Sequence, residues 1–192
     1  GVGAAINTAK VGRGDTVAVI GCGGVGLSAV QGARIAGAER IIAVDANASK
    51  LALARELGAT DVVDAAAVDP VEAVRELTGG VDHAFEALGY LPTIDQAIRM
   101  TGRAGQTTLI GMVEASELSQ VASLGLIVEE RTIAGSWYGT FLPQRDWPLI
   151  VGWLESGELM LDQMIERIEL DQINEAFDRI RSNEAARQVI VF

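Results

Sequence analysis

A chain of 192 residues, 49% of them hydrophobic and 22 of them glycine, can bury one well-packed core and suits an α/β domain with closely packed helices. Its net charge of −11 argues against nucleic acid or an anionic membrane as the main partner, although local backbone dipoles can still bind an anionic cofactor. One cysteine excludes an internal disulfide. No stretch is typical of a signal peptide or a membrane span, so we expect a cytoplasmic protein.

The chain opens on small and apolar residues without an initiating methionine, as the interior of a protein would. We therefore expect a fragment or an excised domain. Residues 4–10 predict a short helix, and the glycine-containing turn that follows leads into the first strand.

The most informative stretch is residues 16–45. It predicts a buried strand, a glycine-rich turn at 21–26, a helix over 24–36 and a second buried strand that ends on Asp45. A strand, a GxGxxG turn, a helix and a following acid together make the complete dinucleotide-binding signature. The alternative is a glycine-rich turn that merely joins a strand to a helix.

Each glycine of the turn has its own expected role. Gly21 permits a backbone conformation that is costly for residues with a Cβ. Gly23 removes a side chain that would keep a pyrophosphate from the backbone, and Gly26 lets the helix lie close to the sheet. The unpaired N–H groups and the dipole of the helix N-terminus favour a phosphate at this point.

The rest of the chain continues the alternation of helix and strand. Further helices are predicted over 47–57, 71–77 and 92–100, and further strands over 61–64, 81–87, 105–111 and 131–137. Residues 112–130 predict no clear element. The pattern predicts a Rossmann fold, with a doubly wound parallel sheet of six strands and helices on both faces.

The pattern changes after Gly139. Amphipathic helices are predicted over 145–156 and 170–182, and a final strand over 188–192. Because this tail shows no further strand–helix alternation of the Rossmann kind, we place a domain boundary there. Residues 1–139 are expected to be a dinucleotide-binding domain and residues 140–192 a separate C-terminal segment.

Several motifs resemble those of the zinc-dependent medium-chain alcohol dehydrogenases. They are GVGAAIN at 1–7, GCGGVGLS at 21–28, IIAVD at 41–45, ARELGATD at 54–61, FEALG at 85–89 and INEAF at 173–177. The resemblance covers essentially the whole chain. The segments GSWYG at 135–139 and LPQRD at 142–146 resemble bacterial, especially actinobacterial, members.

The resemblance implies that Asp45 holds both hydroxyls of the adenosine ribose and that Lys50 assists. A carboxylate accepts hydrogen bonds from a ribose and repels a 2′-phosphate, and Ala46 supplies no arginine to reverse that preference. NAD is therefore expected rather than NADP. On the residues alone, Asp45 could also be a helix-capping acid.

The resemblance further implies that Arg187 reaches the pyrophosphate and that Val25 presses on the nicotinamide ring. The residues implied to line the nicotinamide are Ala87, Ile110 and Tyr138. On the residues alone, Arg187 is a surface charge and the strand-end residues are ordinary core. The expected cofactor-binding set is Gly21, Gly23, Gly24, Val25, Gly26, Asp45, Lys50, Ala87, Ile110, Tyr138 and Arg187.

In this family a zinc ion held by two cysteines and a histidine polarises the alcohol, and most of that machinery lies in an N-terminal domain. Here Cys22 and His83 are the only cysteine and histidine, too few for a zinc site. We expect a buried Cys22, a structural or surface His83, and Glu86 as a structural partner rather than a base. The parent protein would be an NAD- and zinc-dependent alcohol dehydrogenase, whereas this chain alone would bind NAD without catalysis.

Other functions are also open. A stand-alone nucleotide-binding or sensor module would need no catalytic residues, and methyltransferases also use a glycine-rich turn followed by an acid. A zinc-free quinone reductase is less compatible with Asp45. The resemblance implies a homodimer through the edge strand at 131–137 and a small alcohol or aldehyde substrate, either a simple one or a thiol adduct of formaldehyde.

Overall fold

The computed structural model describes residues 1–182 and 187–192 and contains a six-stranded parallel sheet. Its strands lie in the order β3-β2-β1-β4-β5-β6. The strands β2 and β3 therefore lie on one side of β1, and β4, β5 and β6 lie on the other side. This strand order is that of a doubly wound Rossmann fold, so the predicted fold is confirmed. The strands are β1 (Thr16–Ile20), β2 (Arg40–Asp45), β3 (Asp61–Asp64), β4 (Val81–Glu86), β5 (Thr101–Leu109) and β6 (Thr132–Gly135).

The helices begin where local chemistry predicts. Asn47 accepts a hydrogen bond from the Ser49 N–H at 2.9 Å, and Asp69 accepts one from the Val71 N–H at 2.8 Å. Gly37 ends the first helix with a φ of 89°. The helices are α1 (Gly24–Ala36), α2 (Ala48–Glu56), α3 (Pro70–Thr78), α4 (Leu91–Met100), α5 (Ser123–Val128), α6 (Pro143–Glu155) and α7 (Ile173–Arg181). A π-helix at Ala4–Ala9 occupies the region predicted as a short helix.

Both faces of the sheet are buried, because helices cover each of them. Side chains alternate between the two faces along each strand. On one face Val17, Val19 and Phe85 pack with Leu27 of α1 and Leu51 of α2. On the other face Ala18, Ile20, Ile42 and Ala84 pack with residues of α3 and α4. A ligand can therefore meet the sheet at the ends of its strands. We call the side where the parallel strands end the carboxyl edge and the side where they begin the amino edge.

The C-terminal segment contains a strand that the sequence did not predict. β7 (Ile165–Ile168) pairs in parallel with β8 (Arg187–Ile190), and α7 lies between them along the chain. The tail therefore has one strand more than the two helices and one final strand that the sequence predicted, and this strand belongs to a separate two-stranded sheet. The sequence Ile-Glu-Arg-Ile is four residues long and half charged, so it has no apolar run that would indicate a strand.

Several predicted boundaries also differ from the structure. β5 begins at Thr101 rather than at residue 105, and its pairing with β4 is irregular between Val81 and His83. β6 is four residues long rather than seven, and the final strand ends at Ile190. A 3-10 turn at Leu170–Gln172 precedes α7.

The C-terminal segment packs on α1 through a fully buried glutamine. Gln31 accepts a hydrogen bond from the Met160 N–H at 2.7 Å and donates one to the Met164 sulfur at 3.2 Å. Arg34, one turn further along α1, donates to the carbonyl oxygens of Leu57 and Glu158. The boundary at residue 139 stays a prediction.

The apolar sides of the two long tail helices face outward. Trp147 and Val151 of α6, and Phe177 and Ile180 of α7, are exposed. Within the described part of the chain, no helix is long and apolar enough to cross a membrane.

Candidate cofactor-binding site

The strand register brings most of the predicted site residues to one edge of the sheet. Ile20 pairs with Val44 and with Glu86, so the residues that follow each of them lie side by side. The Gly21 N–H donates to the Val44 carbonyl at 2.8 Å, and the Ala87 N–H to the Ile20 carbonyl at 2.9 Å. This is the carboxyl edge, next to the point where strand order reverses, and doubly wound sheets bind ligands there.

The glycine turn leaves β1 in a conformation that suits glycine alone. Gly21 has a φ of 92°, and a Cβ at Gly26 would lie 1.7 Å from the Gly21 carbonyl oxygen. A Cβ at Gly23 would meet no protein atom within 4 Å. Gly21 is therefore glycine because of its backbone conformation, and Gly26 because the protein leaves no room for a Cβ there. The space beside Gly23 stays accessible for a ligand to approach the backbone.

Helix α1 begins within this turn and presents its N-terminus at the carboxyl edge. Its cap residue, Gly23, gives no side-chain oxygen to the first turn, and no acidic side chain lies in that turn. The N–H groups there have no intrahelical partner and carry the positive end of the helix dipole. Gly24 and Val25 form this turn, and the Val25 side chain is 46% exposed. The arrangement is suited to an anion such as a pyrophosphate.

Asp45 connects the end of β2 to the glycine turn. Its Oδ2 accepts a hydrogen bond from the Cys22 N–H at 2.7 Å, and its Oδ1 accepts one from the Asn47 N–H at 2.9 Å. Only 6% of the residue is exposed. A carboxylate has about four acceptor positions, so two remain for further donors. Lys50 is also buried and lies in α2, the helix that follows Asp45 in the chain.

Arg187 lies in β8 and reaches the same region from the C-terminal segment. It lines a cleft of about 380 Å³ with Gly24, Val25, Ser28 and the β7 residue Ile165. The cleft therefore joins the first turn of α1 to Arg187. This brings the adjacent predicted site residues Gly24 and Val25 together with Arg187, which is far from them in the sequence.

The predicted nicotinamide residues occupy neighbouring strand ends. Ala87 follows β4, and Ile110 follows β5, where its N–H donates to the Glu86 carbonyl at 2.9 Å. Tyr138 follows β6, is 81% exposed and packs edge-to-face on Trp137 with 5.1 Å between ring centroids. Tyr138 lines a second cavity of about 260 Å³, which shares Gly1 and Ser28 with the first. It therefore lies beside the Val25–Arg187 cleft, not within its lining.

Glu86 holds the loop after β4. Its fully buried carboxylate accepts hydrogen bonds from the N–H groups of Leu88 at 3.0 Å and Gly89 at 2.9 Å, and from the Thr93 hydroxyl at 2.7 Å. A Cβ at Gly89 would lie 2.3 Å from the Met112 carbonyl oxygen, so the loops after β4 and β5 are in close contact. Glu86 is thus a structural residue of the site, as predicted.

Two polar groups near the site were missed by the sequence analysis. Asn7 and Thr8 of the π-helix bond to residues of the segment that carries Tyr138. Their positions relative to residues 136–140 depend on tertiary packing across more than 120 positions of sequence. No local pattern indicates them.

The residues present do not fit a zinc ion. No group of three or more His, Cys, Asp or Glu side chains suited to a metal occurs in residues 1–182 and 187–192. Cys22 is fully buried, and burial, reinforced by the Asp45 charge, raises the pKa of its thiol to about 12. His83 pairs in register with Val17 inside the sheet, and its Nε2 lies 3.0 Å from an Asp15 carboxylate oxygen.

Comparison with known proteins relates this chain to dehydrogenases. The family model for zinc-binding dehydrogenases matches residues 24–156. A geraniol dehydrogenase from Castellaniella defragrans is 37% identical over the whole chain, and an S-(hydroxymethyl)glutathione dehydrogenase from Photobacterium damsela is 40% identical over 99% of it. The chain spans about half the length of these relatives, 52% and 53% respectively.

Solved structures show the same relationship. An alcohol dehydrogenase zinc-binding domain protein from Burkholderia ambifaria matches the whole chain with a TM-score of 0.94 and 36% identity, and the match covers 52% of that protein. A benzyl alcohol dehydrogenase from Acinetobacter calcoaceticus also matches with a TM-score of 0.94, at 33% identity and 54% of its length. The chain belongs to the zinc-binding dehydrogenase family, as its motifs predicted.

Proposed function

We propose that this chain is the NAD-binding portion of an alcohol dehydrogenase. The single observation that carries the proposal is the buried Asp45 carboxylate, which is joined to the glycine turn and keeps acceptor positions that a ribose would use. The bound nicotinamide would supply the hydride-transfer chemistry. The chain's own residues would bind and orient it.

The preference for NAD over NADP follows from charge. A 2′-phosphate would bring negative charge against a carboxylate that is already shielded from water, where repulsion is stronger than in solvent. Neither Ala46 nor Asn47, which follow Asp45, offers a cation. A dehydrogenase from Sinorhizobium meliloti, 34% identical, was solved bound to NADP, so family membership alone does not decide the cofactor.

The pyrophosphate would lie at the N-terminus of α1. Backbone N–H groups and the helix dipole favour the anion there, and Arg187 in the adjoining cleft would add a charge-assisted hydrogen bond. A chain with a net charge of −11 can bind an anion in this way because the local field at the turn is positive.

The chain by itself is proposed to bind cofactor without catalysing the reaction, because residues 1–182 and 187–192 contain no set of side chains that fits a catalytic zinc ion. The reaction of the whole protein would interconvert an alcohol and an aldehyde. Relatives are named for geraniol, S-(hydroxymethyl)glutathione and benzyl alcohol. The substrate is proposed only at the level of a small alcohol or aldehyde.

A homodimer is proposed through β6. This strand ends the sheet order and so has one unpaired edge, and α5, which precedes it along the chain, exposes Leu124, Ile127 and Val128. Light scattering at micromolar concentration should give the mass of two chains. Ile127→Glu should shift the mass toward one chain, whereas the control Val68→Glu, at another exposed apolar site, should not. A monomeric wild-type chain would contradict the proposal.

The cofactor proposal is tested by Asp45→Asn, which keeps the size of the side chain and removes its charge. NAD binding measured by calorimetry should weaken by about 1–3 kcal/mol, and the discrimination against NADP should shrink. Asp64→Asn is the matched control, because Asp64 ends the neighbouring strand in register with Asp45 and also caps a turn. Equal effects of the two substitutions on NAD affinity would reject the ribose role.

A further inference from the structure

Two unusual stretches of backbone meet near the nicotinamide end of the proposed site. The first is the π-helix at Ala4–Ala9. This conformation is rare in proteins overall, and where it occurs it is often at a functional site. The second is the turn at residues 137–140, in which Tyr138, Gly139 and Thr140 have φ values of 50°, 65° and 51°. Left-handed backbone is unfavourable for tyrosine and for β-branched threonine, so surrounding contacts must hold this turn.

The contacts that hold the 137–140 turn come from the π-helix. The Thr8 hydroxyl lies 2.8 Å from the Ser136 hydroxyl and 2.8 Å from the Thr140 hydroxyl. The Asn7 amide donates to the Gly139 carbonyl at 3.2 Å. Thr8 therefore bonds to Ser136, before the left-handed run, and to Thr140, its last residue, and Asn7 bonds to its centre.

A buried carboxylate continues this network into α6. The Asn7 amide also donates to Asp146 at 3.2 Å, and Asp146 accepts from the Leu142 N–H at 2.7 Å. Only 5% of Asp146 is exposed, and hydrogen bonding from Arg145 holds the pKa of this carboxyl below its usual value. Asp146 is thus a charged acceptor that fixes the Asn7 amide.

The two stretches are also packed without spare room. A Cβ at Gly3 would lie 2.5 Å from the Gly139 carbonyl oxygen, and a Cβ at Gly139 would lie 2.7 Å from the Gly3 Cα. The turn cannot move toward the π-helix, and the hydroxyl and amide bonds oppose movement away from it.

We propose that Thr8 and Asn7 are positioning residues that set the location of Tyr138 at the nicotinamide end of the cofactor site. Tyr138 is 81% exposed, and Trp137 makes its one ring contact among the described residues. Its location therefore depends on the backbone of the 137–140 turn. The inference rests on the proposed cofactor site and adds to it two residues that act through Tyr138.

The test compares two ligands that differ by the nicotinamide. NADH carries the ring, whereas ADP-ribose shares the adenosine and pyrophosphate and lacks the ring. In the 192-residue chain, Thr8→Val removes the hydroxyl at nearly constant shape and should weaken NADH binding about threefold to tenfold, leaving ADP-ribose within about twofold. The fluorescence anisotropy of the bound nicotinamide should also fall, because the ring is held less firmly.

Matched variants separate positioning from a general structural effect. Thr8→Ser keeps the hydroxyl and should bind both ligands as the wild type does. Ser136→Ala removes one partner of Thr8 and should weaken NADH selectively, and its combination with Thr8→Val should be less than additive because the two act through one contact. Thr78→Val, in α3 and hydrogen-bonded only within that region, should change neither ligand.

The contrary outcomes are distinct. Equal weakening of both ligands by Thr8→Val, or no weakening of either, would overturn the positioning role. Failure of the wild-type chain to bind ADP-ribose would contradict the proposed function and this inference with it, and that result requires no variant.

Discussion

The two edges of the parallel sheet differ in how their polar groups are used. At the carboxyl edge Gly24 and Val25, in the first turn of α1, line a cleft, and the Asp45 carboxylate accepts a hydrogen bond from the backbone of the glycine turn. At the amino edge, Thr16, Asp15 and Arg40 pair with Asp82, His83 and Asp61 respectively. The difference indicates that one edge is built for a ligand and the other for stability.

The amino edge is closed by three short networks. Thr16 donates to the Asp82 carboxylate through its N–H and its hydroxyl, both at 2.8 Å. His83 lies 3.0 Å from Asp15, and Arg40 makes two hydrogen bonds to Asp61 at 2.8 and 3.1 Å. Substitutions there should alter the free energy of unfolding, whereas those at the carboxyl edge should also alter cofactor binding.

The largest effect is expected from Gly26→Ala at the carboxyl edge. The new Cβ would lie 1.7 Å from the Gly21 carbonyl oxygen, a backbone atom that can move only if the whole turn moves. We expect a loss of more than about 3 kcal/mol in the free energy of unfolding and no measurable NAD binding. Urea denaturation and calorimetry would measure both.

Gly152→Ala is the control for that substitution. It is also a glycine within a helix, but a Cβ there would meet no atom within 4 Å. It should stabilise the chain by up to about 1 kcal/mol through helix propensity. If the two variants had similar stability and affinity, the steric account of the turn would be wrong.

Glu86→Ala should have the next largest effect. It leaves the N–H groups of Leu88 and Gly89 without their carboxylate acceptor, and we expect a loss of about 2–3 kcal/mol in unfolding free energy. NAD affinity should fall with it, since the loop lies at the carboxyl edge. An unchanged unfolding midpoint in urea would show that the loop is held by other contacts.

Asp82→Ala, at the amino edge, should cost about 1 kcal/mol of stability because its hydrogen bonds to Thr16 are exposed to water, and the Thr16 donors can bond to solvent instead. NAD affinity should match the wild type. A clear loss of affinity at unchanged structure, measured by calorimetry, would break the distinction between the two edges.

The smallest effect concerns the pH dependence of the Arg40–Asp61 pair. Hydrogen bonding from Arg40 lowers the pKa of Asp61, so the pair stabilises the fold above the unfolded-state pKa of about 3.9 and is lost as pH falls through the lower folded value. Asp61→Asn should be less stable at pH 7 by under about 1 kcal/mol, and the difference should narrow as the pH is lowered below about 3.9. A constant difference across that range in urea denaturation would contradict this linkage.

Local chemistry explains what the sequence predicted. The glycine turn, the Asn47 and Asp69 caps, the apolar strands β1 and β2 and the alternation of strands with helices are readable from neighbouring residues, so the six-stranded sheet could be derived from them. The family resemblance is confirmed by the match over residues 24–156. The assignments of individual residues to NAD, the dimer and the cytoplasmic location stay predictions.

What the sequence could not predict depends on distant contacts. β7 is four residues long and half charged, and it forms a strand because β8 pairs with it. Thr8 is an ordinary helical residue until folding places Ser136 and Thr140 beside its hydroxyl. In both cases the signal lies in the partner, more than 20 positions away in the chain.

Titration of the 192-residue chain with NAD and with NADP in a calorimeter tests the central claim most directly. The account predicts saturable binding of one NAD per chain and binding of NADP weaker by at least about tenfold, which corresponds to about 1.4 kcal/mol. Equal affinities for the two, or tighter binding of NADP, would contradict the role of Asp45 on which the account rests.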